Sequence, residues 1–361
     1  PLRREQIRAI GSFGKHPMNP EINSTPRRGK PLLEAAKPFA VEIRGKSWRH
    51  VGTTLGLMAV LLTGAALAPL WPLRLAFSLL GGLVMVRAFI LFHDFMHGSI
   101  LKGSRLGRIL MYGVGTLLLT PPRAWRESHN HHHANVGKIS PEGGHVPVVT
   151  TDIGAYPMMS VSMWQRATRY ERFVYRVSRH PVTIFCAYLT VFMGNLCLGS
   201  TFANPKKHWP GALVFLTHVS LLGALWYAGG FPMMFFTYFF PLWIASASGA
   251  YLFYAQHSFP GARVYTPEDW NFFEAALGTA SYFKFGRVLD WVTGSIGYHH
   301  VHHLNSGIPF YRLREAMDAI PELQHPVVTR LRLRDILGCF RANLWDPEKG
   351  CLVRYEDARA S

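Results

Sequence analysis

The sequence predicts an all-α integral membrane protein with four transmembrane helices arranged as two hairpins, together with membrane-surface helices and a cytosolic helical cap. Two observations carry this prediction. Four apolar stretches lie in two close pairs, 52–71 with 75–92 and 211–229 with 233–255, and each is near the ~20 residues that a helix needs to cross hydrocarbon. Clusters of histidine lie just outside these stretches.

The composition agrees with a membrane protein. Hydrophobic residues make up 49% of the 361 residues and charged residues only 16%, whereas about 25% is usual in soluble domains. The formal net charge of +17 would suit either nucleic acid or an anionic membrane surface. Because of the apolar stretches we favour membrane lipid as the partner and expect no nucleic acid. The four cysteines contain no C-x-x-C pair, so neither a disulfide framework nor a thiolate metal site is indicated.

The first pair of apolar stretches predicts an antiparallel hairpin. Only Pro72-Leu73-Arg74 separates 52–71 from 75–92, and a link of three residues forces the second helix to return beside the first. The second helix then brings His93 to the membrane surface. Arg87 is the one charged residue in this stretch and could extend its side chain to the interface, where it could contact a headgroup.

The number of membrane crossings between the clusters decides which of the later apolar stretches can span the membrane. If the histidine clusters form one site, an even number of crossings must separate them. The 109–120 stretch is about 12 residues long, which suits a membrane-surface or partly buried helix. The close pair 211–229 and 233–255 makes the natural second hairpin. We therefore expect the remaining stretch, 182–200, to enter the membrane without crossing it.

Charge placement predicts the orientation and the domain limits. Lysine and arginine are frequent in the proposed inner segments between residues 102 and 207, while the proposed outer turns carry only Arg74. The positive-inside rule places the clusters in the cytoplasm. Residues 1–49 are polar and basic without an apolar signal core, so we expect a cytosolic N-terminal tail, a membrane domain with the metal site at 50–320, and a cytosolic C-terminal tail at 321–361.

Three histidine clusters repeat one spacing. On a helix, positions i, i+3 and i+4 share a face, and each cluster follows this pattern, which leaves His131 and His300 pointing elsewhere. A further histidine, His257, closes the last apolar stretch. The residues that share a face are His93 and His97 in the first cluster, His129, His132 and His133 in the second, and His299, His302 and His303 in the third.

Such clusters predict a metal centre. Many protonated imidazoles would repel one another, whereas neutral imidazoles are metal ligands. One ion takes about four to six ligands, so eight or nine histidines imply two ions. Imidazole suits iron, zinc, copper and nickel, and the spacing does not choose among them. Asp94, Glu127 and Asp290 lie near the clusters in the sequence and could orient ligand imidazoles, or they could be ordinary polar residues at a membrane surface.

The order H-x-x-x-H, H-x-x-H-H, H-x-x-H-H around paired apolar stretches resembles the membrane fatty acid desaturase family and its hydroxylase and ketolase relatives. The resemblance covers roughly residues 50–320. Four flanking segments are similar to the bacterial acyl-lipid branch of the family: 125–129, 253–257, 297–304 and 308–313.

The resemblance implies an activity and its cofactors. The eight clustered histidines would bind two iron ions, with His257 as a ninth ligand and no catalytic residue beyond the ligands. The enzyme would use O2 and an external electron donor such as ferredoxin to introduce a cis double bond into a lipid-linked fatty acyl chain. The chain would occupy a narrow apolar tunnel, with Phe95, Trp125 and Tyr254 as candidate lining residues. The expected location is a bacterial inner membrane, with the active site facing the cytoplasm.

Two departures from the family pattern leave alternatives open. Phe253 stands where acyl-CoA members place an asparagine that helps hold a water molecule. The first cluster, with Phe95 and Met96 between its histidines, is similar to carotenoid ketolases, so a ketolase or an alkane or lipid hydroxylase is one alternative. A membrane metal transporter or sensor is another, and His218 inside a predicted span is the feature that favours it.

Overall fold

The computed structural model describes residues 27–139 and 156–359, and these residues are mostly helical. The first 26 residues of the predicted N-terminal tail lie outside this part of the chain. Helix α1 (Lys30–Ala36) and a 3-10 turn (Lys37–Ala40) lead into α2 (Arg44–Leu67), which packs along α3 (Trp71–His97). The first predicted hairpin is therefore present, and its first helix begins five residues before the predicted limit of the tail at residue 49.

Local sequence signals set both ends of α3. Pro72 lies in its first turn, where a proline has no hydrogen bond to lose. Gly98 follows His97 with φ +72°, a left-handed conformation that glycine adopts without strain. Its N–H donates to the carbonyls of Asp94 and Phe95. The helix therefore ends directly after the second histidine of the first cluster.

The second predicted hairpin is built from one apolar stretch that reverses direction. Helix α11 (Pro210–Met234), a π-helical turn (Phe235–Phe239) and α12 (Phe240–His257) are continuous in sequence. The chain leaves helical geometry at Gly229 (φ −158°, ψ 21°) and Gly230 (φ +69°, ψ −165°). His218 and Tyr238 then lie 3.1 Å apart, measured from Nδ1 to Oη, although twenty residues of straight helix would separate them by about 30 Å.

Three helical stretches among the described residues are long and apolar enough to span a membrane: Arg44–Leu67, Trp71–His97 and Pro210–His257. Since the last one folds back at the glycine pair, the two predicted hairpins are both present. The number of crossings stays a prediction.

The stretch 182–200 has both flanks on the side of the histidine clusters. It comprises α8 (Pro181–Phe185), a π-helix (Tyr188–Gly199) and α9 (Ser200–Ala203). Before it, Arg179 donates to Ser258 Oγ at 2.9 Å, next to His257. After it, Lys207 pairs with Glu127 at 2.7 Å, two residues from His129. Both flanks of the stretch therefore lie on the side of the histidine clusters, and entry into the membrane without crossing stays a prediction.

The remaining helices surround the two hairpins. They are α4 (Arg105–Leu117), α5 (Pro122–Asn135), α6 (Val161–Arg166), α7 (Arg169–Ser178), α10 (Pro205–His208), α13 (Phe272–Gly278), α14 (Arg287–Val292), α15 (His299–Leu304), α16 (Leu313–Ala319) and α17 (Leu333–Arg341). Three further 3-10 turns lie at Phe310–Arg312, Pro321–Leu323 and Asp357–Arg359.

Five short strands are the exception to the predicted all-α fold. Parallel strands β2 (Tyr282–Phe283) and β3 (Val328–Thr329) form one pair. In a second sheet, β4 (Leu344–Asp346) lies between β1 (Met159–Ser160), which is parallel to it, and the antiparallel β5 (Cys351–Val353). The segment predicted as a C-terminal tail is thus packed onto the domain, and the boundary at residue 320 stays a prediction.

Arg87 is buried rather than extended to the interface. It is 2% exposed, its Nε donates to Thr54 Oγ1 at 3.1 Å, and its guanidinium also contacts His50 and the carbonyl of Trp291. The guanidinium carbon lies 4.3 Å from the centre of a Trp291 ring. Arg87 therefore fastens α14 to the first hairpin, and the expectation of a headgroup contact was wrong.

Candidate metal centre

The nine predicted histidines meet where four helices end or begin. His93 and His97 occupy the last turns of α3, and the second cluster lies on α5. His257 is the last residue of α12, and His299 begins the short helix α15. Because each cluster follows helical spacing, each helix presents its imidazoles on one face. The structure thus brings together residues that lie more than 200 positions apart in the sequence.

The nine imidazoles form two groups, and within each group the ligand atoms lie within 4.8 Å of one another. An ion with metal–nitrogen bonds of about 2.1 Å would hold its ligands within about 4.2 Å of each other, so each group has nearly the dimensions of one metal site. The first group is His93, His97, His129, His133 and His302. The second is His132, His257, His299 and His303.

In the first group the Nε2 atoms converge. His129 Nε2 lies 3.0 Å from His93 Nε2 and 3.1 Å from His133 Nε2. The Nε2 atoms of His133 and His302 are also 3.1 Å apart. Nε2 of His97 is buried and has no hydrogen-bond partner among the described residues.

The second group has the same arrangement. His257 Nε2 lies 3.1 Å from His132 Nε2 and 2.9 Å from His299 Nε2. The Nε2 atoms of His299 and His303 are 3.1 Å apart. The rings of His133 and His303 stack with their centres 4.3 Å apart, so the two groups adjoin.

Two of the imidazoles have their tautomer set by a partner on the outer nitrogen. His93 Nδ1 donates to Asp94 Oδ1 at 3.0 Å, and the other oxygen of Asp94 accepts from the Phe310 N–H at 2.7 Å. His257 Nδ1 donates to the carbonyl of Thr279 at 3.0 Å. The inner Nε2 of each ring therefore carries a lone pair, as a metal ligand must.

Burial keeps the cluster histidines outside the predicted spans neutral. Burial is the largest cause that lowers their pKa values well below 6.5, and the neighbouring imidazoles lower them further. The residues concerned are His129, His132, His133, His299, His302 and His303. Where each neutral ring carries its proton on the outer nitrogen, the inner lone pairs that face one another about 3 Å apart repel unless a cation lies between them. The residues present therefore fit two metal ions, with a donor set made of nitrogen and free of thiolate.

Of the three acidic residues predicted near the site, Asp94 alone contacts a cluster histidine in the described part of the chain. Glu127 accepts from Lys207 at 2.7 Å and from Arg123 at 3.3 Å, because a position two residues from His129 lies on another face of α5. Asp290 lies on α14, where burial raises the pKa of its carboxyl group. Glu127 is thus engaged in ion pairs away from the cluster, and an orienting role for Glu127 or Asp290 stays a prediction.

The two histidines expected to point away do so. His300 Nε2 donates to the carbonyl of Leu323 at 3.1 Å, and burial lowers the pKa of His300 to about 4. His131 is exposed and lies beside Asn135. Sequence reasoning missed the acceptor carbonyl of Thr279 and the Phe310 N–H, because backbone partners brought in by distant loops leave no residue pattern to find.

An apolar cavity of about 380 Å³ reaches the metal centre. His93, His129 and His299 lie in its wall. One face of α12 forms another wall, from Leu242 to Gln256, a length of roughly 21 Å at the helical rise. The cavity thus runs from the centre into the apolar part of the molecule, and its mostly apolar lining suits a hydrocarbon chain.

The predicted lining residues are partly correct. Trp125 lines the cavity and stacks on His129 with ring centres 4.4 Å apart. Tyr254 is fully buried against Phe340 instead, and Phe95 is also absent from the lining. Phe253 lines the cavity with its ring centre 5.0 Å from that of His132.

The fold and the site together define a membrane protein whose clustered imidazoles can bind metal beside a cavity for a hydrocarbon chain. The family model described as Fatty acid desaturase matches residues 69–332. A fatty acid desaturase of Bacillus subtilis is 32% identical over 285 residues, which are 78% of either chain. The chain therefore belongs to the fatty acid desaturase family, and it is an enzyme, an oxidoreductase.

Two cyanobacterial relatives come from Synechocystis sp. The sn-1 acyl-lipid omega-3 desaturase (ferredoxin) is 27% identical over 290 residues, which cover 79% of this chain and 76% of the relative. The sn-1 oleoyl-lipid 12-desaturase is 26% identical over 322 residues, or 84% and 85% of the two chains. These matches do not favour the ketolase, hydroxylase or transporter alternatives.

Proposed function

We propose that this protein is an O2-dependent desaturase that introduces a cis double bond into a lipid-linked acyl chain, with two iron ions held by the nine histidines. The observation that carries the proposal is the pair of adjoining imidazole groups at one end of an apolar cavity. The group of five would hold one ion and the group of four the other.

The reaction sets the requirements for the site. Adjacent methylene groups have no acidic proton, so side-chain acid or base chemistry cannot remove their hydrogens. Two iron ions would supply the oxidative chemistry that such bonds need, with O2 and two electrons from outside. Two hydrogens leave the chain, and O2 with two further electrons and two protons ends as two water molecules.

The chain's own residues bind, orient and exclude water. The cavity walls, apolar over most of their area, would hold the acyl chain and keep water away from the reacting carbons. Asp94 and the carbonyl of Thr279 fix the ring orientation of His93 and His257. The ring of Trp125 lies against His129 and that of Phe253 against His132, where the cavity meets the metal centre.

The relatives and the charge pattern support the proposed partners and location. A relative whose name specifies ferredoxin and an acyl lipid supports an external ferredoxin-type donor and a lipid substrate. The basic segments between residues 102 and 207 support a bacterial inner membrane with the site on its cytoplasmic face. We retain residues 50–320 as the membrane domain with the site.

Expression in a host of known lipid composition tests the proposal. With O2 and a ferredoxin-type donor supplied, mass analysis of the host fatty acids should show a loss of two hydrogens in a fraction of the chains. A gain of oxygen instead would indicate a hydroxylase or ketolase.

A matched pair of variants tests whether formation of the product depends on the metal centre. His132→Ala removes a member of the group of four and should lower the iron content from two ions toward one. It should lower the product by more than about a hundredfold, since even residues that only support ligands contribute ten- to a hundredfold in metal affinity or activity. His131→Ala on the same helix should retain both, because His131 lies beside Asn135. Equal product from wild type and His132→Ala would contradict the proposal.

A further inference from the structure

A second apolar cavity adjoins the first. Its volume is about 190 Å³, half that of the cavity at the metal centre. It lies between the two hairpins, with Met58 of α2 and Leu221 and Leu225 of α11 in its wall. Met85 and Leu118 line both cavities. These two side chains therefore form the partition between them.

The partition is buried and distant from the reacting centre. Met85 is 2% exposed and Leu118 is 4% exposed, so both side chains lie inside the molecule. Met85 lies eight residues before His93 on α3, which is about 12 Å along the helix axis. A chain that reaches from the metal centre into this arm of the cavity must stop at these two side chains.

The surroundings of the partition suit the methyl end of a chain. Met85, Val86 and Leu118 are apolar, and behind the partition Met58 and Leu221 are apolar as well. An ester or a headgroup placed here would lose its hydrogen bonds to water without replacement. A terminal hydrocarbon segment has no hydrogen bonds to lose, and burial of its apolar surface is favourable.

We propose that Met85 and Leu118 form the end wall of the acyl-chain site and thereby set how many carbons beyond the new double bond the enzyme accepts. This inference rests on the proposed function and adds a determinant of chain length to it. Methionine is unbranched and flexible, so its truncation should join the two cavities and leave the backbone in place. The space behind the wall would then admit a longer chain.

Variants on the two sides of the wall test this inference. A host supplied with saturated fatty acids of increasing length would express each variant, and the ratio of desaturated long to short chains would be measured. Met85→Ala should raise this ratio about fourfold for each added methylene that gains a buried position. Leu118→Ala should act in the same direction. Met58→Ala is the matched control, because Met58 lines only the second cavity and its truncation leaves the wall intact.

A substitution that fills the cavity should have the opposite effect. Gly249 lines the cavity on α12, and a Cβ placed there would meet no atom within 4 Å. Gly249→Leu should therefore exclude the longest chains. Gly223→Leu is the control, since Gly223 is equally unhindered but exposed and outside the cavity.

The outcomes separate this inference from the function on which it rests. If wild type produces desaturated chains, and Met85→Ala and Leu118→Ala keep the wild-type length profile at wild-type iron content, the end wall is not where we place it. A response of Met58→Ala equal to that of Met85→Ala would also overturn the inference. If wild type with donor and O2 yields no product, the proposed function fails and this inference fails with it.

Discussion

Two regions of the molecule bury histidine, and they do so in different ways. His218 lies between the helices of the second hairpin and is 1% exposed. Its Nε2 accepts from the Tyr188 hydroxyl at 2.6 Å, and its Nδ1 donates to Tyr238 Oη at 3.1 Å. Tyr238 in turn donates to the carbonyl of Leu117 at 2.8 Å. Both ring nitrogens of His218 are therefore satisfied by protein groups.

The centre is equally buried, but its inner nitrogens face only other nitrogens. His129 and His299 are 6% and 2% exposed, yet each Nε2 contacts the Nε2 of other imidazoles rather than a hydroxyl or a carbonyl. The difference teaches that burial does not identify a metal ligand. Convergence of the Nε2 atoms of several imidazoles does, and by this criterion His218 is structural and the feature that favoured a transporter is accounted for.

Substitution of Asp94 is the first test of this comparison, because we expect it to have the largest effect on iron affinity. Asp94→Asn keeps the shape of the side chain but removes the charge that orients His93. Loss of such a partner lowers metal affinity by about ten- to a hundredfold. Titration of the purified protein with iron against a competing chelator measures this change.

Glu127→Gln is the matched control for Asp94→Asn. Glu127 lies near the second cluster in sequence, but its ion pairs are with Lys207 and Arg123. Its substitution should leave the iron affinity within about twofold, since exposed ion pairs contribute little. An equal loss in both variants would show that charge near the centre matters rather than orientation of His93.

The second test is acid, which should destabilise the iron-free protein through the histidines of the centre. The cluster histidines on α5 and α15 have pKa values held below 6.5 by burial, so they take up protons on unfolding and not in the folded state. The iron-free protein should therefore lose stability as the pH falls below about 6.5, by up to about 1.4 kcal/mol per pH unit for each such histidine. Above that pH their contribution is constant.

Thermal unfolding of the chelated protein in detergent between pH 8 and pH 5 checks this expectation. The iron-loaded protein is the control, because a bound ion stabilises the folded state and should keep the midpoint higher throughout. A midpoint of the iron-free protein that does not move below pH 6.5 would mean that the centre accepts protons while folded.

The smallest effect on iron binding is expected from a change in the hairpin. His218→Phe keeps the ring volume but leaves the Tyr188 hydroxyl without its acceptor. The free energy of unfolding should fall by about 1–3 kcal/mol, with iron content and product unchanged. A loss of iron in this variant would show that His218 belongs with the centre after all.

Much of the fold was predictable because helical periodicity and membrane parity are strong constraints. The spacing of His299, His302 and His303 placed them on one face, and the close pairing of apolar stretches gave both hairpins. The division into groups of five and four was not predictable. Neighbours His132 and His133 belong to different groups, and that choice depends on how α5 packs against α15. The position of Glu127 could have been predicted, since it is two residues from His129 on a helix.

The β1–β4 pairing has a consequence for how the protein is made. Arg179 donates to the carbonyls of Pro157 and Ala342 and to Ser258, and β1 pairs with a strand that begins at Leu344. The segment beside His257 is thus fastened by residues that leave the ribosome some 40 positions after the last histidine of the third cluster. Since synthesis proceeds at about 5–20 residues per second, these contacts form only seconds after the last imidazole of the third cluster has been synthesised.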